Sequence, residues 1–471
     1  MRPLEILTSL ILVIYFIWPL LPLRRSRWLD ILPILALVIT VLHLLLEGYR
    51  WQMFPLYALV GVALILAAFR LARGDNLQSA PRNIRVLGAV SGIVLLAVAL
   101  ALPILFPVPA LPKPGGPFAI GTHTLMLADT SRTEIYGDQP GGPRELMVQI
   151  WYPAEPQPGE QPGQWISNSD IVGRAVSTWL ELPTFALDHL RYAHTNSYPE
   201  APLMEGESYP VLLFSHGWGG FRAQNTYQME ELASQGYLVA AVEHTYGSVV
   251  TVFSDGRIAL HDASAMPDNV PTVEYEQDAQ RLVQQWSGDL GFVLDTLEKL
   301  NTSDPEGRLT GHLDLSRVGA LGHSTGGGAV VEFCAHDARC KAVLGMDTYM
   351  TPVSEDVLQN GLSQPSLFLF SELWPSENNT SQFMRLYQHL QGPALDLTIL
   401  GTSHYDFTDL PLLTPLAAWI GLKGPLNGSR VMTIIKRYSV AFFNHYLRGE
   451  EAPILEGPSQ EYPEVVYTSQ S

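Results

Sequence analysis

Read for its apolar and polar positions, the chain falls into two stretches of different rhythm. Residues 1–109 hold four almost uninterrupted apolar runs: Ile6 to Leu21, Ile31 to Leu46, Phe54 to Phe69 and Val86 to Phe106. With its flanks, each run approaches the length that spans about 30 Å of hydrocarbon. Charges are almost absent from the run centres, whereas a helix buried in a soluble core more often keeps a polar face. Four transmembrane helices are predicted. The first run is followed not by a small-x-small cleavage site but by Leu23-Arg24-Arg25-Ser26-Arg27, which favours an anchor over a signal peptide.

Beyond the membrane runs the pattern changes. Pro109 to Pro117 is rich in Pro and Gly and reads as a stiff linker. Short apolar strands are then predicted at Thr122–Leu127, Glu145–Tyr152, Val211–Ser215, Leu238–Glu243, Val318–Gly322, Ala342–Met346, Leu367–Phe370 and Leu397–Leu400. Helical periodicity is predicted at Thr226–Gln235, Val273–Leu300, Thr325–Ala335, Ser381–Gln391 and Val431–Arg448. Such alternation implies a mostly parallel sheet with helices on both faces. The first two strands follow one another without a helix, as in a sheet that opens antiparallel. Segments 153–209 and 402–430, weak in periodicity, are expected to be loops or lid elements. The expected division is a four-helix membrane region over 1–109, a linker over 110–118 and an α/β domain over 119–471. No internal repeat is evident.

Charge adds an orientation. The first loop carries Arg24, Arg25 and Arg27, and the third carries Arg70, Arg73, Arg82 and Arg85. The second carries only Arg50, offset by Glu47. Positive loops stay in the cytoplasm, so both chain ends and everything after Leu111 are expected on the extracytoplasmic side. Residues 1–109 hold 9 basic and 4 acidic residues, a net of +5, and the remainder 19 and 42, a net of −23. So acidic a domain excludes nucleic-acid binding by counterion release. Cys334 and Cys340 are the only cysteines. They could pair after export or remain buried thiols. No Cys-x-x-Cys or His/Cys cluster suggests a metal site, and no cofactor is implied.

The strongest chemical signal is Gly322-His323-Ser324-Thr325-Gly326. The pattern G-x-S-x-G lies between a predicted strand and a predicted helix, the context of a nucleophile elbow, so Ser324 is the candidate nucleophile. An activated serine needs a base, an orienter for the base and oxyanion donors. On this fold they follow in the order serine, acid, histidine. Of His389, His404 and His445, the first and last lie in helical patterns. His404 follows the last apolar strand directly and is the candidate base. The acid is Asp347, ending the strand after the elbow helix, or Glu372, ending the next one; position alone leans to Glu372. Asp406 is too near His404 in sequence to orient it. Leu213-Phe214-Ser215-His216-Gly217-Trp218-Gly219-Gly220 supplies a His-Gly loop after a buried strand. The backbone N–H groups of Trp218 and Thr325 are the candidate oxyanion hole, with His216 as a prop for the loop. Trp151, Trp179, Trp218 and Trp374 are candidate lining for an acyl pocket.

Several stretches resemble the secreted, type II platelet-activating factor acetylhydrolases, also called group VII phospholipases A2. They are Phe214 to Arg222, Val239-Ala240-Ala241-Val242-Glu243-His244, Phe292 to Leu297, Gly322-His323-Ser324, Met346-Asp347-Thr348-Tyr349-Met350 and His404-Tyr405-Asp406-Phe407-Thr408-Asp409. In order they span roughly residues 120–450. The resemblance implies an α/β-hydrolase fold, Asp347 as the acid rather than Glu372, and hydrolysis of short or oxidised sn-2 acyl esters of phospholipids. The membrane region has no counterpart in the secreted enzymes, and Thr325 stands where that family often has an aromatic. The expected partners are a phospholipid or other small ester and the lipid bilayer. A general short-chain carboxylesterase would carry the same residues. A peptidase on the same fold and a membrane sensor that binds without turnover are the remaining readings.

Overall fold

A computed structural model describes residues 1–21, 27–73, 81–138, 140–206, 208–267, 269–374 and 376–468. Arg24 and Arg25 lie outside the described residues, as do the side chains of Arg27, Arg73 and Arg82. The chain divides into two compact units: Met1–Pro109 with Leu413–Leu416, and Ala110–Leu412 with Ala417–Ser471.

The first unit contains α1 (Pro3–Ile17), α2 (Leu32–Leu46), α3 (Phe54–Arg73) and α4 (Arg82–Leu105). With their flanking turns, the four are long and apolar enough to cross a membrane. Their burial is inverted relative to a water-soluble bundle. Leu45, Leu46, Ile65, Phe69 and Val98 are exposed, while Glu5, His43, Arg50 and Gln52 are buried. Water as solvent would penalise both halves of that pattern. The buried charges are paired. Arg50 donates to both Glu5 oxygens at 2.7 and 2.6 Å, and His43 bridges Glu47 at 2.8 Å and Tyr57 at 2.7 Å. Arg50 is therefore not a free loop charge. Glu5, His43 and Glu47 gather their ligating atoms within 4.8 Å of one another, but Arg2, Arg50 and Tyr57 already engage them.

The second unit opens with β1 (Ala119–Thr133) and β2 (Pro143–Ala154), an antiparallel pair. There follow α5 (Ser169–Trp179), β3 (Ser197–Pro199), β4 (Tyr209–Ser215), α6 (Thr226–Ser234) and β5 (Leu238–Glu243). A two-stranded ribbon, β6 (Val250–Val252) and β7 (Ile258–Leu260), precedes α7 (Thr272–Thr302). Then come β8 (Leu313–His323), α8 (Thr325–His336), β9 (Cys340–Met346), α9 (Glu355–Asn360) and β10 (Ser366–Ser371). The unit finishes with α10 (Glu377–Gln388), β11 (Ala394–Ile399), α11 (Gly428–Arg448) and β12 (Val465–Tyr467). Ten strands form one sheet in the order β12-β11-β10-β9-β8-β4-β5-β2-β1-β3. From β5 through β11 every neighbouring pair is parallel.

The two-residue period of each strand divides the core. Val211 and Leu213 of β4 and Leu238, Ala240 and Val242 of β5 face a layer filled by α7 and α8. Leu212, Phe214, Val239 and Ala241 face the layer of α6 and α11. Full burial on both faces explains why these strands read as continuous apolar runs. The helices α5 and α9 and the short β3, β6, β7 and β12 were not expected; three-residue strands and the six-residue α9 leave too few positions for a period to register, and α5 falls in the stretch expected to be loop or lid. A disulfide joins Cys334 at the end of α8 to Cys340 at the start of β9.

Candidate active site

The tight turn between β8 and α8 consists of Ser324 alone, at φ 55° and ψ −123°. Non-glycine residues rarely adopt this conformation, and it persists only where its surroundings over-determine it. Here the Ser324 N–H donates to Met346 O at 3.0 Å. Its carbonyl accepts from Tyr349 N–H at 2.9 Å and Gly328 N–H at 3.2 Å. A Cβ on Gly322 would strike the Gly326 backbone, and one on Gly326 the carbonyls of Ser215 and His216. The flanking glycines are thus required by the close approach of β4, β8 and α8. Ser324 itself stays half-buried.

Asp347 stands immediately after β9, also at positive φ (42°), with its side chain buried. Its Oδ1 accepts from Ser371 N–H at 2.6 Å, and its Oδ2 from the Ser371 hydroxyl at 2.6 Å. His404 Nδ1 lies 3.1 Å from the same Oδ2. An Nδ1–H donating to Asp347 leaves the basic lone pair on Nε2. His404 follows β11, and Trp374 stacks on its ring with centroids 3.9 Å apart. Glu372 is elsewhere: its Oε2 accepts from Gly401 N–H at 2.7 Å. Ser371, one residue earlier, is the position at the end of β10 that faces Asp347, and Glu372 follows on the alternate side. Asp406 accepts from Ser403 N–H at 2.9 Å and Gly424 N–H at 2.6 Å, shaping the loop around His404. The His389 and His445 rings donate to nearby backbone carbonyls, of Arg385 and Glu450.

The His-Gly loop leaves β4 beside the serine. A Cβ on Gly217 would stand 3.2 Å from Ser324 Cβ. Among the described residues, the N–H groups of Trp218 and Thr325 have no acceptor. Two residues not anticipated as part of the site tie this loop to the histidine. Gln224 Oε1 accepts from Gly217 N–H at 3.2 Å, and Gln224 Nε2 donates to His323 Nδ1 at 3.2 Å. His323 Nε2 then donates to His404 O at 3.1 Å. Burial holds His323 well below the ordinary histidine range, so it stays neutral and this donor order persists. His323 occupies a variable place in the elbow motif, and a lone Gln carries no sequence signal. Of the four tryptophans, Trp151 is fully buried in the α6/α11 layer. Trp179 and Trp218 pack on His261, with ring centroids at 4.9 and 4.4 Å.

A strained serine after β8, a carboxylate–imidazole pair drawn from the ends of β9 and β11, and two amides without an acceptor among the described residues are groups of the kind that acyl transfer through serine uses. Comparison with known proteins bears on the family. The family model described as platelet-activating factor acetylhydrolase, isoform II, matches residues 105–452. The platelet-activating factor acetylhydrolase of Cavia porcellus is 29% identical over 357 residues, covering 72% of this chain and 78% of the relative. A probable 1-alkyl-2-acetylglycerophosphocholine esterase of Arthroderma benhamiae is 26% identical over 405 residues, covering 80% and 98%. Among solved structures, a ferulic acid esterase from Streptomyces cinnamoneus superposes with a TM-score of 0.65 at 29% identity, covering 77% of this chain and all of the other. With a fold, an elbow and a matched span that coincide, the chain belongs to the platelet-activating factor acetylhydrolase isoform II family of ester hydrolases.

Proposed function

We propose that this protein is a membrane-held serine esterase that hydrolyses short or oxidised sn-2 acyl esters of phospholipids. The carrying observation is the Asp347–His404 pair, held at the ends of β9 and β11 on one side of β8, the strand that leads into the strained Ser324. Ser324 Oγ attacks the ester carbonyl carbon while His404 Nε2 takes the hydroxyl proton. The N–H groups of Trp218 and Thr325 stabilise the oxyanion, each worth about 3 kcal/mol. Collapse expels the glycerol oxygen, which receives the proton from His404, and leaves an acyl-serine. Water then attacks, its proton passes to His404 and on to Ser324, and the free acid departs. Asp347 holds the imidazole in the tautomer that this cycle needs.

Four helices over residues 1–109 would keep the site near lipid and raise the local substrate concentration. The loop charges favour an extracytoplasmic catalytic domain. Protease shaving of intact cells checks this: digestion of the C-terminal domain is expected, and its protection would reverse the topology.

The test of substrate uses the full chain in detergent beside Ser324→Ala. Release of acetate from a phosphatidylcholine with an sn-2 acetyl group is expected, with little release from sn-2 palmitoyl. One observation favours a second reading, a general carboxylesterase: the likeness to a ferulic acid esterase over that protein's whole length. Hydrolysis of p-nitrophenyl acetate or ethyl ferulate with no turnover of the acetyl phospholipid would establish it. Loss of fluorophosphonate labelling at Ser324 in the intact protein would instead favour a non-catalytic sensor.

A further inference from the structure

A second serine, histidine and aspartate set lies beneath the His-Gly loop. Ser215 Oγ is 2.8 Å from His244 Nε2, and His244 Nδ1 is 2.9 Å from Asp289 Oδ2. All three side chains are fully buried, so no substrate reaches them. Arg144 clamps Asp289 through two bonds at 3.1 and 2.7 Å, and the Trp286 indole lies flat on His244 at 4.2 Å. With Nδ1–H donated to Asp289, His244 Nε2 accepts from the serine hydroxyl. The imidazole is thereby fixed in place and in tautomer.

The set acts on its neighbour. The backbone N–H of His244 donates to His216 Nε2 at 3.2 Å. That bond makes Nδ1 the protonated nitrogen of His216, which donates to Gly217 O at 2.7 Å. Gly217 C=O and Trp218 N–H belong to one planar trans peptide and point in opposite directions. Aiming the carbonyl down at His216 therefore aims the amide up, toward the side where Ser324 stands. Gly220 N–H also donates to Gly217 O, and Gly219 N–H to Gly247 O, pinning the loop to the segment after His244. Burial keeps His216 and His244 neutral.

We propose that His216, braced by the buried Ser215–His244–Asp289 set, is a positioning residue that orients the Trp218 amide toward the oxyanion. The proposal rests on the reading of that amide as an oxyanion donor.

The experiment compares p-nitrophenyl acetate with p-nitrophenyl thionoacetate, whose sulfur is a poor acceptor for oxyanion-hole donors, on the full chain in detergent. In His216→Asn the Asn Nδ2 keeps a donor near the Nδ1 position; in His216→Gln it is lost. His216→Gln is expected to lower kcat on the oxo ester about 10- to 100-fold with KM within about threefold, and to shrink the oxo/thiono ratio by the same factor. His216→Asn is expected to restore both to within about fivefold. Equal losses on the two esters, or a His216→Asn as impaired as His216→Gln, would overturn the proposal. Should His216→Gln fail to fold, Ser215→Ala reads the same ratio: a drop of about threefold supports the brace, and no change overturns it. A wild-type ratio near one would instead sink the oxyanion reading itself, and the proposal with it.

Discussion

Two sets of the same three residue types sit close together in this fold and have opposite characters. Ser215 ends β4 and pairs in register with Gly322 of β8, two residues before Ser324. Ser215 has ordinary strand geometry, is sealed from solvent, and belongs to a set whose aspartate is neutralised by Arg144. Ser324 is forced to positive φ and half-buried, and among the described residues Asp347 accepts from Ser371 and His404 and has no cationic side chain on it. Residue types alone therefore do not make a reactive serine. What differs is backbone strain at the serine, partial exposure to solvent, and a carboxylate without a cationic partner, the features that the proposed role of Ser324 needs. Asp289 already has a guanidinium partner, and burial together with that cation disfavours a charged His244.

The contrast can be broken most sharply at the serines. Ser324→Ala is expected to lower turnover by about four to six orders of magnitude and to end fluorophosphonate labelling. Ser215→Ala should retain labelling at Ser324; labelling lost there with the fold intact would erase the distinction between the sets. At the carboxylates, Asp347→Asn should cut kcat by about four orders of magnitude through the wrong imidazole tautomer. Glu372→Gln, which removes a charge and at most weakens the loop bond from Gly401 N–H, should change it less than about threefold, in line with a single exposed hydrogen bond. The reverse pattern in a kcat measurement would return the acid to Glu372.

Asp289→Asn tests the structural side. It strands Arg144 in the interior with only Glu134 as a charged partner, and a loss of about 3–5 kcal/mol in urea unfolding is expected. A midpoint unmoved from wild type would mean that the buried set contributes nothing to the fold.

The smaller expected effect on stability concerns a third buried carboxylate, Asp396 in β11, which has neither role. Its Oδ1 lacks a hydrogen-bond partner, and burial pushes its pKa up to about 6. The folded state thus holds the proton that the unfolded chain releases near pH 4. Stability on this account falls as pH rises from about 4 to 6 and stays lowered above it. Asp396→Asn should flatten that slope and raise stability by about 2 kcal/mol at pH 7–8, read by urea unfolding at pH 5 and pH 8. Equal midpoints for the variant and wild type at pH 8 would show that the carboxylate finds a partner.

Much of the architecture was legible because its signals are local. Strands buried on both faces announce themselves as apolar runs, and the elbow's glycines mark the only backbone that lets β4, β8 and α8 approach. The acid was not legible from spacing. Asp347 and Glu372 each end a strand, and the choice between them turns on which side of β10 faces His404, where Ser371 rather than Glu372 points inward. His216 could be read as a prop, but not what it props or what braces it. His323 and Gln224 gave no sign, since each acts through a partner remote in sequence: His404 is 81 residues beyond His323 and Gln224 is 99 before it. Trp374, read as pocket lining, instead stacks on His404.

The sequence by itself determined the apolar helices, the order of strands and helices, and the strained turn at Ser324, because each depends on neighbours along the chain. Tertiary structure alone decided which histidine meets which carboxylate, and which of two similar sets is sealed while the other stays partly open to solvent. Those outcomes depend on distances between strand ends, on burial and on the direction of single peptide planes, which close only when the sheet is assembled.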